Sequence, residues 1–369
     1  MNVRQSHWFK SFIPQVLGMV YAYALLWGQY DFPVTELLLS ACTLFGLVVL
    51  GFWINDWFDQ KSDAVAGKPN MHLPQNRSHS WLVLIISVCL AFLPWIYLPI
   101  GFLTWGLLGF QILLYISYSA PPLRLKEKPL LGPITDATYA YALPFALSAY
   151  TFALFWNPDQ HHQFLIILLG LTLYLAGIRN IIVHQVGDVF ADTLTKTHTY
   201  VMELGPRKTD RLLRYLLLTE TILYSIFLAV TAQLQPALYA LLLFFLLQSG
   251  QHWIKRSRAF PKHTLLFQES STLPNTYYQV WQPLLLLALL SFHNHIWFWV
   301  VGMHSLLLVP NQAYQLIGTN IMRWVLIPSR QLASLIVNYT IWIFFKTLGV
   351  DLQKEGKSAR QFLQSKFRS

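Results

Sequence analysis

Long apolar runs alternate with short polar stretches along the whole chain, and the runs have the length of membrane spans. A hydrocarbon core of about 30 Å needs about 20 apolar helical residues. Such runs fall near residues 12–30, 35–54, 81–98, 100–117, 136–155, 163–183, 212–233 and 235–249. The first lacks a convincing small-residue cleavage site and more spans follow it, so it reads as a first helix and not as a signal peptide. The stretch 281–309 is also apolar but is interrupted by His293, Asn294 and His295. It is either one long tilted helix or two short ones turning at those residues. The segment 331–349 is another candidate, either a last span or a helix lying in the interface. The pattern predicts an all-α, multispanning transmembrane helical bundle.

Composition narrows the picture. Of 369 residues, 55% are apolar and only 11% charged, against about 25% charged in a soluble domain. Mean hydropathy is +0.43. These values exclude a soluble enzyme, a disordered chain and a disulfide-stapled protein. The net charge of +10 would suggest nucleic acid in a soluble protein. In a membrane protein it has a simpler source, cations gathered in cytoplasmic loops, so no nucleic-acid partner is expected. Cys42 and Cys89 each sit in an apolar run and read as small buried hydrophobes.

The cations sort by loop. Arg4 and Lys10 precede the first run; Lys61, Lys68 and Arg77 follow the second; Arg124, Lys126 and Lys128 follow the fourth. Lys196, Arg207, Lys208 and Arg211 separate the sixth and seventh, and Lys255, Arg256, Arg258 and Lys262 follow the eighth. The loops after the first, third, fifth and seventh contain no Lys or Arg. This alternation predicts that the N-terminus and the even-numbered loops are cytoplasmic. The basic tail from residue 310 onward should lie on the same side, which needs two crossings within 281–309.

The acids concentrate where the cations do. Asn55, Asp56, Asp59 and Asp63 follow the second run. At 3.6 residues per turn the three aspartates share an arc of about 60°, where they repel one another unless a cation binds. Hard cations such as Mg²⁺ take oxygen ligands and often bridge to phosphate. His184, Asp188 and Asp192 follow the sixth run at spacings of four, again on one helical face. Both clusters begin at the same membrane boundary. Two acidic faces at one depth suit a diphosphate held through metal ions. His184 itself reads equally as a ligand, an acid–base group or a hydrogen-bonding histidine. After the fourth run comes Tyr118-Ser-Ala-Pro-Pro-Leu-Arg124-Leu-Lys126. Its prolines predict a rigid extended turn in which Arg124 and Lys126 face one way, either toward a leaving diphosphate or simply as cytoplasmic loop charges.

Together these motifs resemble the UbiA-type intramembrane prenyltransferases, the superfamily of 4-hydroxybenzoate polyprenyltransferase, menaquinone-pathway prenyltransferases and chlorophyll synthase. The resemblance rests on Asn55-Asp56-x-x-Asp59-x-x-x-Asp63, continued by Gly67-Lys68-Pro69-Asn70, on Asp188-x-x-x-Asp192 followed by Thr199 and Gly205, and on the Tyr118–Lys126 motif. It covers residues 1 to about 310, leaving 311–369 as a basic C-terminal extension. The chain departs from the family pattern at Met71, where an arginine is common (Arg77 being a possible substitute), at Lys196, where glycine is common, and at His184, where many members carry Asp.

The resemblance implies a bundle of about nine spans around a lipid-open central cavity. It implies transfer of an isoprenyl group from its diphosphate to a hydrophobic acceptor, aromatic or lipid-like, in the manner of quinone biosynthesis. Mg²⁺ would be held by Asp56, Asp59 and Asp63 on one side and by Asp188 and Asp192 on the other. Asn55 would add a neutral oxygen or donor, and Lys68, Arg124 and Lys126 would neutralise the diphosphate. Tyr118 would offer an aromatic face to the carbocation; His184 and Asp188 are the nearest candidates for a base. The setting would be a bacterial inner membrane, with the active site facing the cytoplasm. A membrane terpene cyclase of the same fold is the first alternative. A transporter would place its acids near the midplane, and a lipid-binding scaffold would leave the acidic clusters without a use.

Overall fold

The computed structural model describes residues 13–258, apart from 15, 19, 23, 27–33, 69, 71, 73–76, 157–159 and 235, together with 275 and 277–308. Among them there is no strand. The described residues between 13 and 26 are helical. Then come α1 (Val34–Ala66), α2 (Arg77–Phe92) with a 3-10 turn at Leu93–Ile96, and α3 (Phe102–Ser119). A continuous helical stretch follows, made of α4 (Leu131–Ala137), a π turn (Thr138–Ala142) and α5 (Leu143–Trp156). The chain continues through α6 (Gln160–Thr195), α7 (Tyr200–Leu234) and α8 (Leu238–Arg258). A second π turn (Tyr277–Trp281) leads into α9 (Gln282–His293), and α10 is Ile296–Leu308. Five of these helices are by themselves long and apolar enough to cross a membrane.

Several expected spans change length. The runs at 35–54 and 163–183 continue as helix to Ala66 and Thr195, so both acid clusters ride on the ends of spans. The helix expected from 136 begins at Leu131 and passes through a π turn, a local widening that re-aims side chains. The apolar stretch 281–309 is two helices. Asn294 leaves the helical conformation and its Oδ1 accepts the Ile296 N–H at 3.0 Å, so Asn294 caps the second helix. α7 is broken at Gly205 (φ 72°), followed by Pro206. The segment 331–349 and the extension 311–369 lie outside the described residues.

The solvent-facing logic of a soluble protein is reversed here. Phe102, Phe292 and Trp299 are largely exposed, while Gln111, Thr172, Arg179 and Glu220 are buried. Lipid accepts the apolar exterior, and polar groups inside must satisfy one another. Arg179 and Glu220 do so as a two-pronged ion pair joining α6 and α7, at 2.8 and 3.2 Å. The packing of α1 on α2 is equally tight: a Cβ on Gly46 would stand 2.3 Å from the Ala91 nitrogen. Small residues let backbones approach this closely in membrane bundles.

Candidate active site

The ends of α1 and α6, with the turn after α3, enclose a polar cavity of about 730 Å³ counting its open mouth. Asn55, Asp59 and Asp63 line it from α1, and His184, Asp188 and Asp192 from α6. Lys68, Tyr118, Arg124 and Lys126 complete the charged and aromatic wall. Ten of the eleven residues singled out in the sequence therefore meet in one place. Asp56 is buried but is not among the lining residues described. It sits at the edge of the arc; Asn55 and Asp59 take the facing positions.

Local folding sets each position. α1 ends in a glycine cap: Gly67 takes φ 64°, its N–H meets the Ala64 carbonyl at 3.3 Å, and the Lys68 N–H meets the Asp63 carbonyl at 2.9 Å. This is the six-to-one and five-to-two bonding of a Schellman motif. It turns the chain back so that Lys68 Nζ reaches Asp188 Oδ2 at 2.8 Å across the cavity. Asn70 then folds under α1, donating from Nδ2 to Asp63 Oδ2 and to the Asp56 carbonyl, both at 2.8 Å.

The turn after α3 is not the extended segment that its prolines suggest. Arg124 is left-handed (φ 38°) and opens a 3-10 turn over Leu125–Glu127. The two cations still point together. Arg124 Nη2 donates to Asp59 Oδ1 at 3.0 Å, and Lys126 Nζ donates to Asp59 Oδ2. Lys126 also reaches Asn55 Oδ1 at 3.3 Å, which accepts from Ser119 Oγ at 3.1 Å. Burial pushes the Lys126 ammonium below its usual range, with the Asp59 carboxylate pulling the other way. Burial also acts to lower Arg124, but Glu127 and Asp59 together hold it above its usual value. His184 Nε2 lies 3.6 Å from Asp188 Oδ2. Met71 and the Arg77 side chain lie outside what is described.

The polar cavity adjoins an apolar chamber of about 940 Å³, again counting its open mouth, with which it shares Asn55, Tyr118, Ile181 and His184. Leu44, Leu47, Val48, Phe52 and Pro144 give the chamber its greasy wall. Tyr115 and Tyr139 extend the aromatic face begun by Tyr118: Tyr139 lies edge-on to both, with ring centres 5.0 and 5.2 Å away. Asp136 also lines this chamber, and the sequence reading passed it over. Its signal was available: a lone carboxylate at the head of an apolar run is costly in a membrane and is by default functional. Thr199, singled out after the second acid pair, also lies on the polar wall; Thr195 and Thr197 beside it carried no such signal.

Among the described residues no three acids, histidines or cysteines stand close enough to hold a metal by themselves. Asp59, Asp63, Asp188 and Asp192 nonetheless offer carboxylate oxygens from two sides of one cavity. That donor set fits a hard cation sharing its shell with phosphate oxygens and water, the usual arrangement for Mg²⁺.

The sequence matches the UbiA prenyltransferase family over residues 16–273. It is similar to a lycopene elongase/hydratase of Halobacterium salinarum, 26% identical over 212 residues, covering 58% of this chain and 72% of the relative. A lycopene elongase/hydratase of Corynebacterium glutamicum is 27% identical over 232 residues, covering 61% and 75%. The fold is that of a UbiA homolog from Archaeoglobus fulgidus. The structure of that protein bound to DMAPP and Mg²⁺ superposes with a TM-score of 0.54 at 16% identity, covering 78% of this chain and 97% of the other. Its structure bound to GPP and Mg²⁺ gives 0.52 at 16% identity over the same shares.

Proposed function

We propose a function from one premise: the chain belongs to the UbiA prenyltransferase family and is an integral-membrane transferase of prenyl groups. On this reading the polar cavity takes an isoprenyl diphosphate and the apolar chamber takes the prenyl chain with its acceptor. One observation carries it: four carboxylates and three cations from distant parts of the sequence line a single cavity that runs into a greasy chamber.

Asp59, Asp63, Asp188 and Asp192 would hold magnesium, and Asp56 supports them from the edge. The metal, when bound, supplies Lewis-acid stabilisation of the leaving diphosphate. Lys68, Arg124 and Lys126 neutralise the charge that grows on the leaving group. Asn55 orients at the junction between cavity and chamber. The rings of Tyr118, Tyr139 and Tyr115 present electron-rich faces to the allylic cation, and the apolar wall keeps water from quenching it early.

The chamber also speaks to the acceptor. Apart from His184, its ionisable lining among the described residues is a carboxylate, Asp136, and three tyrosines; no Lys or Arg lines it. An aromatic acid would meet like charge there and find no cationic partner. A neutral, extended isoprenoid with a terminal double bond fits better, in keeping with the lycopene named for two relatives. We therefore favour a carotenoid-type acceptor over a quinone precursor, in a bacterial inner membrane with the polar cavity on the cytoplasmic side. The test is to incubate purified protein in lipid with Mg²⁺ and a series of isoprenyl diphosphates, with lycopene or 4-hydroxybenzoate as acceptor. A prenylated carotenoid that is lost on adding EDTA is expected. Transfer only to the aromatic acid would overturn the acceptor. A cyclised product formed without acceptor would overturn transfer in favour of cyclisation.

A further inference from the structure

Asp136 and Tyr139 form a buried acid–phenol pair in the wall of the apolar chamber. Both line it, and Tyr139 Oη donates to Asp136 Oδ1. The pair exists because of the backbone: Asp136 is in the last turn of α4, and Tyr139 is three residues on, within the π turn Thr138–Ala142. The π turn aims Tyr139 at the chamber, while the Tyr139 carbonyl is held by Gln111 Nε2, which also donates to Tyr115 Oη at 2.6 Å. Among the described residues, the Tyr139 hydroxyl is the one hydrogen-bond partner of the Asp136 carboxyl, and no cation is ion-paired with it. It differs in this from the acids of the polar cavity, where Asp59 and Asp188 are engaged by Arg124, Lys126 and Lys68.

A carboxylate in such a place is expensive unless it meets positive charge at some point. Among the described residues the chamber wall offers none other than His184, and the diphosphate cations lie in the adjoining cavity. What brings positive charge into the chamber is the reaction itself. We propose that the Asp136 carboxylate is the proton acceptor that ends the prenyl transfer, steadied by Tyr139. The inference rests on the proposed transfer reading and adds the base that the sequence left unassigned.

The bond from the allylic carbon to the diphosphate oxygen breaks, and its electron pair leaves with the oxygen. The π pair of the acceptor's terminal double bond forms the new carbon–carbon bond and leaves a cation on the acceptor. Asp136 takes a proton from the carbon beside that cation, and the released C–H pair closes a new double bond. Protonated Asp136 then returns its proton to water through the polar cavity. Tyr139 holds one carboxylate oxygen, leaving the other for the substrate. Neither His184 nor Asp188 is needed as the base, and both remain with the diphosphate.

The test separates ionisation from quenching. Scrambling of labelled oxygen between the bridging and non-bridging positions of the prenyl diphosphate reports ionisation, and mass spectrometry of the lipid extract reports product. Wild type, Asp136→Asn and Asp136→Glu are compared in proteoliposomes with Mg²⁺. The expected result is that Asp136→Asn scrambles the label at close to the wild-type rate yet forms product at least about 100-fold more slowly, the scale of a lost general base. Asp136→Glu should recover part of the product rate. Product formation by Asp136→Asn within about tenfold of wild type would overturn the assignment. So would parallel loss of scrambling and product, which would place Asp136 with the fold or the diphosphate site. Absence of both scrambling and prenylated product in the wild type would instead sink the transfer reading, and this inference with it.

Discussion

Asp63 and Asp192 occupy the same place at the ends of two different helices. The Asp63 carbonyl accepts the Lys68 N–H and the Asp192 carbonyl accepts the Thr197 N–H, each at 2.9 Å. Both acid-bearing helices thus close with the same cap, and each presents a carboxylate in its last turn toward the shared cavity. The caps differ in the residue that must turn left-handed. At the end of α1 it is Gly67; at the end of α6 it is Lys196, with φ 56°. A side chain in that conformation costs about 1–2 kcal/mol, while glycine loosens the unfolded chain by about 0.4–1 kcal/mol. Lys196→Gly should therefore stabilise the protein by about 1 kcal/mol, read as a higher midpoint of thermal unfolding in detergent. A lower midpoint would show that exposed Lys196 makes an interaction outweighing the backbone cost.

Lys68 is tied to Asp188 across the cavity, and both side chains are about a quarter exposed, so their mutual attraction is partly screened. Its larger value lies in offsetting four carboxylates where a polyanion must enter. Lys68→Gln removes that charge and shortens the side chain by only one bond. The Michaelis constant for the prenyl diphosphate should rise about tenfold, the equivalent of about 1.4 kcal/mol of lost binding, with a smaller change in kcat. Lys68→Arg should keep most of the affinity. An unchanged Michaelis constant in the glutamine variant would remove Lys68 from diphosphate binding.

The acid clusters were legible because chemistry and period coincide: aspartates three or four apart in a chain with so few charges can only mark a face. The five helices long and apolar enough to cross a membrane were legible for the same reason of scale. What the pattern could not give was where helices stop, since apolarity ends at the membrane while helix continues in water to the next cap, as at Gly67 and Lys196. Asp56 shows the limit of counting turns: it shares the acidic arc, but twenty degrees or so, a fraction of the 100° step per residue, separates lining the cavity from its edge. The π turn that aims Tyr139, and the partnership of Arg179 with Glu220 across 41 residues, depend on tertiary packing and leave no local period to read.

That buried pair makes its own prediction. Arg179 and Glu220 are 3% and 1% exposed at their side chains. Asn180 Oδ1 and Asn275 Oδ1 each take a further guanidinium N–H at 3.0 Å, and Asn180 passes the chain of bonds to Tyr141 Oη at 2.8 Å. Removing one charge strands the other where neither water nor lipid can satisfy it, a loss of about 3–5 kcal/mol. Glu220→Gln should unfold well below the wild type. The double change Glu220→Gln with Arg179→Met should recover much of the loss, because no charge is left unpaired. Equal or greater destabilisation of the double variant would mean that the network matters chiefly for its hydrogen bonds to the asparagines.

His72 gives a prediction for pH, from the loop between α1 and α2. Its Nε2 lies 3.2 Å from the Trp53 carbonyl and must donate to it; its Nδ1 lies 2.7 Å from Ser80 Oγ and must then accept. These partners select the neutral ring. Protonation would turn Nδ1 into a donor, so the serine hydroxyl, which also accepts from the Trp53 indole N–H at 3.1 Å, would have to give up the bond it donates to the ring. Burial, the larger influence, pushes the His72 pKa below its ordinary 6.5, while the bond to Trp53 opposes it. The folded state therefore binds fewer protons than the unfolded state once the pH drops below that ordinary value. Stability rises with pH through this window and is lost as the pH falls. Wild type should lose stability relative to His72→Gln as the pH is lowered from about 7.5 to about 5, across the histidine range. The measurement is the difference between the two unfolding midpoints at each pH, which cancels the other titrating groups. A difference that stays flat across the range would show that the ring is protonated as easily in the folded chain as in the unfolded one.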